Sequence, residues 1–422
     1  MSTPGENAIK KAIEGATPEP VYIKTKDGAP RAILANAIQA IQANEMWRGV
    51  LAFNEFNLKT LALKPPHWDY PIAEDWKPRD WSDHDDIRMS EWLQHQGILV
   101  KKDIAGQAVQ VVAREISFHP VQAYLDGLKW DETPRLDTWL SYYLGVEDSE
   151  YVRAVGPKWM LSAVARIFEP GCKADCALIL EGKQGIGKST ALRTLGGEWF
   201  TDELAEFGSK DAGLQMCGVW IIEISELGSM SRSDVNHIKA SMSRSTDRFR
   251  PPYGQRVVES PRQCIFAGTV NGDGYLRDET GGRRFWPVRC TAVDIDALKH
   301  DADQLWAEAV SRYRKREPWW IDDPAIQRIA EREQEDRYAG DAWSDPIDNY
   351  LTGRKSTSVS EILQDVFHLS PSHWEDRHQK RVAKILIAKG WSRIKPRVNG
   401  KRVYRYVAPD GPSGPSSEGL QS

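Results

Sequence analysis

A glycine-rich stretch between an apolar run and a helical pattern constrains the fold of this chain more than any other feature. The stretch "EGKQGIGKST" follows the apolar run "CALIL" and precedes "ALRTL", which predicts a buried strand, a loop and a helix in that order. Its spacing satisfies G-x-x-x-x-G-K-[ST] with Gly182, Gly187, Lys188 and Ser189. Backbone N–H groups in such a loop and at the start of the following helix bind phosphate oxygens. The sequence therefore predicts a nucleoside triphosphate site, and residues 182–189 are called the phosphate loop below.

The residues expected to bind ATP lie in this loop and the first helical turn: Gly182, Gly185, Gly187, Lys188, Ser189 and Thr190. The glycines permit turn conformations that point successive N–H groups inward. Lys188 is expected to neutralise the β- and γ-phosphate oxygens, and the Ser189 hydroxyl to bind Mg²⁺. ATP and Mg²⁺ are therefore the expected cofactors.

Two later apolar runs, "VWIIEIS" and "CIFAGTVN", predict further central strands covered on both faces. The first run delivers Glu223 and, three residues later, Glu226. One acid can hold Mg²⁺ and the other can orient the attacking water, and the sequence leaves open which does which. The second run ends in Thr269 and Asn271, and the Asn271 amide is expected to hydrogen-bond the γ-phosphate or its water. The alternative for Asn271 is a structural role in a turn.

The stretch "GGRRFWPV" places Arg283 and Arg284 between two glycines and another apolar strand. An arginine held at a strand edge can stabilise the charge of a phosphoryl-transfer transition state, including that on a neighbouring subunit's nucleotide. The alternative for one of the two is a carboxylate partner within the same fold.

Alternating strands and helices predict an α/β fold for the central region. The expected organisation is a flexible N-terminus (1–30), a mixed α/β accessory or assembly domain (31–145), a P-loop NTPase core (146–325), a linker helix with a winged helix (326–408), and a disordered tail (409–422). Within the accessory domain, a capped helix is expected to begin near Ser82 and Asp83. No apolar run is long enough for a membrane span, and a cytoplasmic location is expected.

Several of these stretches together resemble the virulence-associated protein E family, whose ATPase core is similar to superfamily 3 helicases of viruses and mobile elements. The matching stretches are "PGCKADCALILEGKQGIGKST", "WIIEISEL", "STDRFRPPYG", "PRQCIFAGTVN" and "GGRRFWPV". Val270 and Gly282 depart from the family pattern, where Thr and Asn are usual. The resemblance implies an AAA+-type fold and a ring, a hexamer, with ATP between subunits. It implies that Glu223 and Glu226 are the Walker B acids, that Asn271 is the polar sensor, and that Arg284, before Arg283, is the arginine finger.

The family is associated with phage and genomic-island replication, so the expected function is an ATP-dependent ring-forming DNA helicase in the bacterial host cytoplasm. The resemblance implies a primase and other replication proteins as further partners. Residues 31–145 are too few for a full primase, so primase activity is not expected in this chain itself. The alternative is an ATP-switched DNA-binding initiator or regulator that does not unwind DNA processively. A small-molecule kinase fits less well, because the chain ends in a winged-helix pattern rather than a lid.

Two surfaces are expected to bind DNA. "DRFR" and "QRVVE" predict a hairpin around residues 251–254. In similar ring helicases this hairpin enters the central channel, where Arg250, Tyr253 and Arg256 would contact a single strand electrostatically and by stacking. The alternative is that these arginines pair with Glu259 or with acids of a neighbouring subunit.

The second surface is the C-terminal winged helix, predicted from helix, helix and a hairpin turning at residues 399–400. From Arg377 to Arg405 the chain is rich in Lys and Arg and contains no acidic residue. The residues expected to reach duplex DNA lie on its second helix and its wing: Lys380, Arg381, Lys384, Lys401 and Arg402. Docking onto another protein is the competing interpretation.

Overall fold

The computed structural model describes residues 19–70, 72, 75–203, 212–250, 256–272, 282–337, 343–398, 401–402 and 404–409. The chain forms two compact units, which divide after Arg337. Within the described ranges, no helix combines the length and the apolar character that crossing a bilayer requires.

The N-terminal part of the first unit is a small mixed sheet covered by helices. Its elements are α1 (Leu34–Ala43), β1 (Leu51–Asn54), β2 (Lys59–Ala62), β3 (Arg79–Asp80), α2 (Asp83–His95), α3 (Lys102–Ala113) and β4 (Ser117–Phe118). The strand order is β3-β2-β1-β4, with β1 antiparallel to β2 and parallel to β4. Helix α3 packs on β1, and both α1 and α2 pack on α3. Ile41, Trp47 and Leu93 belong to the resulting hydrophobic core.

The larger part of the first unit contains a parallel sheet and a separate hairpin. Its strands are β5 (Ala177–Glu181), β6 (Phe200–Thr201), β7 (Ile221–Ile224), β8 (Thr246–Phe249), β9 (Val258–Pro261), β10 (Ile265–Val270) and β11 (Phe285–Arg289). The sheet has the order β11-β5-β10-β7-β6. Every residue of β5, β7 and β10 is buried, as expected for continuous apolar strands covered on both faces. Because β5, β7 and β10 run parallel, their carboxyl ends meet at one edge of the sheet, called the carboxyl edge below.

Helices cover both faces of this sheet. They are α4 (Pro120–Gly127), α5 (Trp139–Leu144), α6 (Glu150–Phe168), α7 (Lys188–Gly196), α8 (Ala212–Gln215), α9 (Arg232–Met242), α10 (Ile295–Arg314) and α11 (Pro324–Asp336). Helices α6, α7 and α10 share a core with Leu178 and Leu180, and α9 packs on the opposite face around Ile179. The buried Trp159 indole of α6 donates a 2.8 Å hydrogen bond to the Phe266 carbonyl of β10. This bond fixes α6 against the sheet without leaving a polar group unsatisfied.

Two segments lie differently from the domain boundaries expected from the sequence. Helices α4 and α5, expected in the accessory domain, pack in the core of the parallel sheet. The buried Glu308 carboxylate of α10 accepts hydrogen bonds from the N–H groups of Arg135 (2.7 Å) and Leu136 (2.9 Å), which tie this segment down. Helix α11, expected to begin the C-terminal linker, buries Ala330 in the same core, and Gln334 donates to the Phe285 carbonyl at 3.0 Å.

The hairpin of β8 and β9 leaves the sheet between β7 and β10. Phe249 pairs with Val258, and the expected turn at residues 251–254 lies outside the described residues. At the base of the hairpin, Arg262 forms a buried ion pair with Asp247, with Nε 2.8 Å from Oδ2. This pair joins the two strands of the hairpin at its base, and removing one partner would leave the other charge buried without compensation.

The second unit combines short helices with short antiparallel strands. Its elements are α12 (Ser344–Leu351), β12 (Ser356–Thr357), α13 (Val359–Asp365), α14 (Asp376–Ala388), β13 (Ser392–Ile394), β14 (Arg397–Val398), β15 (Lys401–Arg402) and β16 (Arg405–Val407). Strand β16 pairs with both β12 and β13, and β14 pairs with β15. Val382 and Leu386 of α14 pack with Ile362 of α13 in the core. Residues 399–400, the expected turn, lie outside the described residues.

Candidate functional site

The phosphate loop connects the carboxyl end of β5 to the amino end of α7. Gly182, Gly185 and Gly187 have φ of 146°, 82° and 99°, in the region that side chains other than glycine disfavour. A Cβ atom on Gly182 would also lie 2.6 Å from the Cys290 carbonyl oxygen. The conformation of this loop therefore requires glycine at the positions where the motif has it.

Lys188 points its ammonium group into the loop. Its Nζ donates to the carbonyl oxygens of Gly182 (2.7 Å) and Lys183 (2.9 Å) and to Oδ1 of Asn271 (3.1 Å). The residue is buried, and this burial lowers the pKa of its ammonium group. Lys188 at the start of α7 and Asn271 after β10 are therefore in direct contact.

Glu223 lies at the end of β7 and is buried beside the loop. Its Oε1 accepts hydrogen bonds from the hydroxyls of Ser189 (2.7 Å) and Thr269 (2.6 Å). Its Oε2 is also buried and finds no donor among the described residues. A carboxylate oxygen in this position needs a cation or a water, because burying it without a partner is costly. Ser189 and Glu223 together therefore offer oxygen ligands of the kind that Mg²⁺ prefers.

Glu226 and Thr190 are exposed beside this buried group. Glu226 follows β7 in a left-handed conformation, with φ of 52°. Thr190 lies in the first turn of α7 and accepts a 2.8 Å hydrogen bond from Thr194 through its carbonyl oxygen. The two acids thus differ in environment: Glu223 is enclosed and Glu226 faces solvent.

Arg283 and Arg284 lie at the amino ends of the parallel strands, at the end of the sheet opposite the phosphate loop. Phe285 pairs with Ala177 at the start of β5, whereas the phosphate loop leaves the end of β5 after Glu181, roughly 13 Å along the strand. Arg284 Nε donates to the Ser243 hydroxyl at 3.0 Å and lies 3.8 Å from Oδ2 of Asp175. The Arg283 side chain is exposed and has no partner among the described residues. The carboxylate partner expected for one of the two arginines is thus Asp175, near Arg284.

Part of the expected channel surface can be located on the hairpin. Arg250 and Arg256 are exposed, and Tyr253 lies outside the described residues. Glu259, the alternative partner considered for these arginines, instead forms a 2.7 Å ion pair with Arg248. Arg256 has no partner among the described residues.

The second unit presents the other expected DNA-binding residues. Lys380 is exposed and pairs with Asp376 at 2.6 Å, and the Arg381 guanidinium lies 4.4 Å from the Trp343 ring centre. Lys384 is half-buried on α14, and Lys401 and Arg402 form β15.

A basic and aromatic cluster in the same unit was not singled out by the sequence reasoning. The Arg393 guanidinium lies 3.7 Å and Lys395 Nζ 4.6 Å from the centre of the exposed Tyr404 ring. The signal available in the sequence was the spacing of two cations, with Arg393 on β13 and Lys395 two residues later.

One comparison with known proteins covers this region of the chain. A profile of the virulence-associated protein E-like domain matches residues 125–339. Curated protein sequences give no match.

Similar solved structures come from the NrS-1 C-terminal region. The apo structure of residues 305–718 is 12% identical over 85% of this chain and 95% of that chain, with a TM-score of 0.45. An A-form apo structure of the same residues is 12% identical over 85% and 96%, with a TM-score of 0.46. A further A-form apo structure is 15% identical over 67% and 78%, with a TM-score of 0.38.

The profile match includes the phosphate loop, both glutamates, Asn271 and both arginines, and it spans about half of the chain. On this match, the chain belongs to the virulence-associated protein E-like family.

Proposed function

We propose that the chain is an ATP-dependent DNA translocase that assembles as a ring and separates strands during replication of phage or mobile-element DNA in the host cytoplasm. The observation that carries the proposal is the convergence of Lys188, Glu223 and Asn271 at the carboxyl edge of β5, β7 and β10. Because β10 lies between β5 and β7, its polar end residues lie between the phosphate loop and the acid. This is the arrangement that triphosphate hydrolysis requires.

Each polar residue of this edge has a separate proposed role. Lys188 exchanges its hydrogen bonds to the loop carbonyls for contacts with phosphate oxygens. Asn271, which accepts a hydrogen bond from Lys188 in this structure, hydrogen-bonds the γ-phosphate or its water. Ser189 and Glu223 would hold Mg²⁺, which would neutralise phosphate charge when it is bound. The exposed Glu226 orients the attacking water. The buried Oε2 of Glu223, which has no donor among the described residues, supports the assignment of Glu223 to the metal rather than to the water.

The location of the arginines supports a ring with shared sites. At roughly 13 Å along β5 from the phosphate loop, neither arginine is placed to reach the phosphates of its own subunit. We propose that Arg283 acts on the nucleotide of the neighbouring copy. The contacts favour it over Arg284, the first choice from the sequence, because Ser243 and Asp175 already hold Arg284.

The DNA surfaces complete the proposal. The hairpin β8–β9 rises from the buried Asp247–Arg262 pair and presents Arg250 and Arg256 to a single strand in a central channel. The order of helices and strands in the second unit supports a winged helix, and we propose that this unit binds duplex DNA.

Strand displacement is the direct test of this function. Purified full-length protein, supplied with Mg²⁺ and ATP, is expected to unwind forked DNA, and Lys188→Ala is expected to unwind none. Measured mass in the presence of nucleotide should be a multiple of 47.7 kDa. ATP hydrolysis and DNA binding without any displaced strand would reject unwinding.

The second candidate is an ATP-switched initiator that binds duplex DNA and does not translocate. The Arg393, Lys395 and Tyr404 cluster favours it, because an exposed ring flanked by cations suits the edge of a duplex. This candidate predicts tight duplex binding and an ATPase rate that DNA does not change. A DNA-stimulated ATPase favours the translocase.

A further inference from the structure

A cavity of about 520 Å³ lies at the amino ends of β5 and β11, and its volume is within the range of small-molecule sites. Residues 173–176 before β5, the start of β11, residues 319–321 and helix α11 surround it. All of these segments belong to the first compact unit. Because β5 and β11 run parallel, the cavity and the phosphate loop lie at opposite ends of these strands.

Three tryptophans give the cavity flat apolar walls. Trp286 of β11 is buried, and the Trp319 indole donates a 2.8 Å hydrogen bond to the Lys173 carbonyl, which fixes its ring. Trp320 meets Trp319 edge to face, with ring centres 5.2 Å apart, and is 53% exposed. More than half of the Trp320 surface is therefore open, and the flat ring of a ligand can stack on it.

Cations from separate segments converge on the same cavity. Lys173, Arg283 and Arg284 line it, against the two carboxylates of Asp175 and Glu331. Arg284 lies 3.8 Å from Asp175, whereas Lys173 and Arg283 are exposed and have no partner among the described residues. Two unpaired cations on one rim attract an anion such as a phosphate group. The two carboxylates disfavour a peptide with several acidic side chains, because like charges repel.

The interior of the cavity offers a hydrogen-bond acceptor. Gln334 lines the cavity and is buried, and its Nε2 donates to the Phe285 carbonyl at 3.0 Å. Its Oε1 accepts no hydrogen bond from the described residues. An amide oxygen can accept from the N–H group of a nucleobase, whereas it has nothing to donate to a phosphate. The cavity therefore suits a ligand with a flat, N–H-bearing ring at one end and an anion at the other.

We propose that this cavity binds one nucleoside monophosphate unit, with its base against Trp319 and Trp320 and its phosphate on Lys173 and Arg283. The unit is either a free mononucleotide or one nucleotide of a DNA single strand, since both present the same base and phosphate. A phosphate on Arg283 keeps this arginine from the neighbouring copy's nucleotide, so an occupied cavity slows ATP hydrolysis. This last consequence rests on the proposed function, and the binding itself does not.

Calorimetric titration of the full-length Lys188→Ala protein tests the binding, because this variant disables the phosphate loop. Thymidine 5′-monophosphate is expected to bind, and thymidine, which lacks the phosphate, to bind about tenfold more weakly. Adding Trp320→Ala to the same protein is expected to weaken thymidine monophosphate binding about tenfold, the effect of one stacking contact. Trp320→Phe, which keeps a flat ring, should retain most of the affinity and so separates stacking from folding.

Trp130→Ala in the same Lys188→Ala protein is the matched control. The Trp130 ring also lies near a lysine, with Lys315 Nζ 5.8 Å from its centre, but Trp130 does not line the cavity. This variant should keep the full affinity for thymidine monophosphate. Absence of thymidine monophosphate binding, or equal affinity in the Trp320→Ala protein, overturns the inference.

Competition with oligothymidylate distinguishes the two sources of the unit. Displacement of thymidine monophosphate by the oligonucleotide assigns the cavity to a DNA strand, and binding without displacement assigns it to the free nucleotide. A protein that binds an acidic peptide containing phenylalanine through Trp320, and binds no thymidine monophosphate, overturns the inference in favour of a protein partner. Strand displacement by the parent protein tests the proposed function separately, so a failure there leaves thymidine monophosphate binding in place.

Discussion

Glu223 has the most demanding environment of any residue in the candidate site. One carboxylate oxygen is satisfied by Ser189 and Thr269, and the other is buried without a donor among the described residues. An unsatisfied buried oxygen costs about 1–3 kcal/mol or more, and hydrated Mg²⁺ would remove that cost. The exposed Glu226 carries no such requirement, which is why we assign it to the water.

Glutamine substitutions should separate the roles of the two acids. Glu223→Gln is expected to lower kcat for ATP hydrolysis by about 100-fold and to raise the Mg²⁺ concentration needed for half-maximal rate. Glu226→Gln is expected to lower kcat by a similar factor, about 100-fold, without changing the Mg²⁺ requirement. Phosphate release measured across a Mg²⁺ titration checks both. An unchanged Mg²⁺ requirement in Glu223→Gln would move the metal to the other acid.

For single residues, the sequence indicates which side chains are candidates for the site better than it indicates which side chains they contact. The phosphate loop, both acids and Asn271 could be named because their chemistry depends on local spacing around buried strands. The choice between Arg283 and Arg284 could not be made from spacing, because Ser243 and Asp175 come from distant parts of the chain.

The hairpin β8–β9 is the element that we propose to connect the proposed ATP site with DNA. It follows helix α9, which comes after the strand that carries Glu223, and it ends just before the amino end of β10, the strand that leads to Asn271. Of the arginines named on it, Arg248 is already paired with Glu259, whereas Arg256 has no partner among the described residues.

Arg256→Ala should therefore weaken single-strand binding. Loss of one phosphate contact is expected to reduce the slope of log affinity against log salt concentration by about 0.7. Arg248→Ala is the matched control and should change the slope less, because Glu259 already neutralises Arg248. Fluorescence anisotropy with an oligonucleotide at several salt concentrations gives the slopes. Equal slopes for Arg256→Ala and the parent would exclude Arg256 from the interface.

Helix α2 shows how an element in the N-terminal part is anchored. Ser82 and Asp85 form a capping box at its start, and Asp85 also binds Arg79 at 2.7 Å. Burial alone would raise the pKa of Asp85, but hydrogen bonds from Arg79 and Ser82 outweigh it and hold the pKa well below its usual range. The expected helix start near Ser82 and Asp83 is observed, since a capping box is a local signal.

Asp85→Asn is expected to lower the free energy of unfolding by about 2 kcal/mol at pH 7. Because the folded pKa of Asp85 is lowered, its contribution is complete above about pH 4 and is lost as the pH falls below that value. Urea unfolding of parent and variant at several pH values should show the difference shrinking toward acid. Asp80→Asn, in an exposed pair with Lys59, is the control and should cost little. A difference that is independent of pH would contradict the ion-pair account.

The boundaries of elements and units depend on contacts that the sequence does not display. Helix α11 has the polar composition of a linker, yet Ala330 is buried in the core and Gln334 satisfies the Phe285 carbonyl. The apolar strands were predictable because their composition alone requires burial on both faces. The partners of α4, α5 and α11 come from distant positions, and no periodicity identifies them.

The whole molecule places the two halves of the proposed reaction centre at opposite edges of one sheet. Lys188 and Glu223 lie at the carboxyl edge, and Arg283 lies at the amino edge. In a head-to-tail ring, the amino edge of one copy can face the carboxyl edge of the next, so that each active site draws on two subunits. Hydrolysis would then depend on assembly.

Mixing two inactive variants measures this dependence most directly. Lys188→Ala lacks the phosphate-binding cation, Arg283→Ala lacks the proposed finger, and each alone is expected to hydrolyse ATP at least 1,000-fold more slowly than the parent. An equimolar mixture should recover roughly a quarter of the parental ATPase rate, because about one interface in four joins an intact Lys188 to an intact Arg283. A mixture that stays as inactive as its components, or an Arg283→Ala protein that hydrolyses ATP at the parental rate, would contradict a site shared between subunits through Arg283.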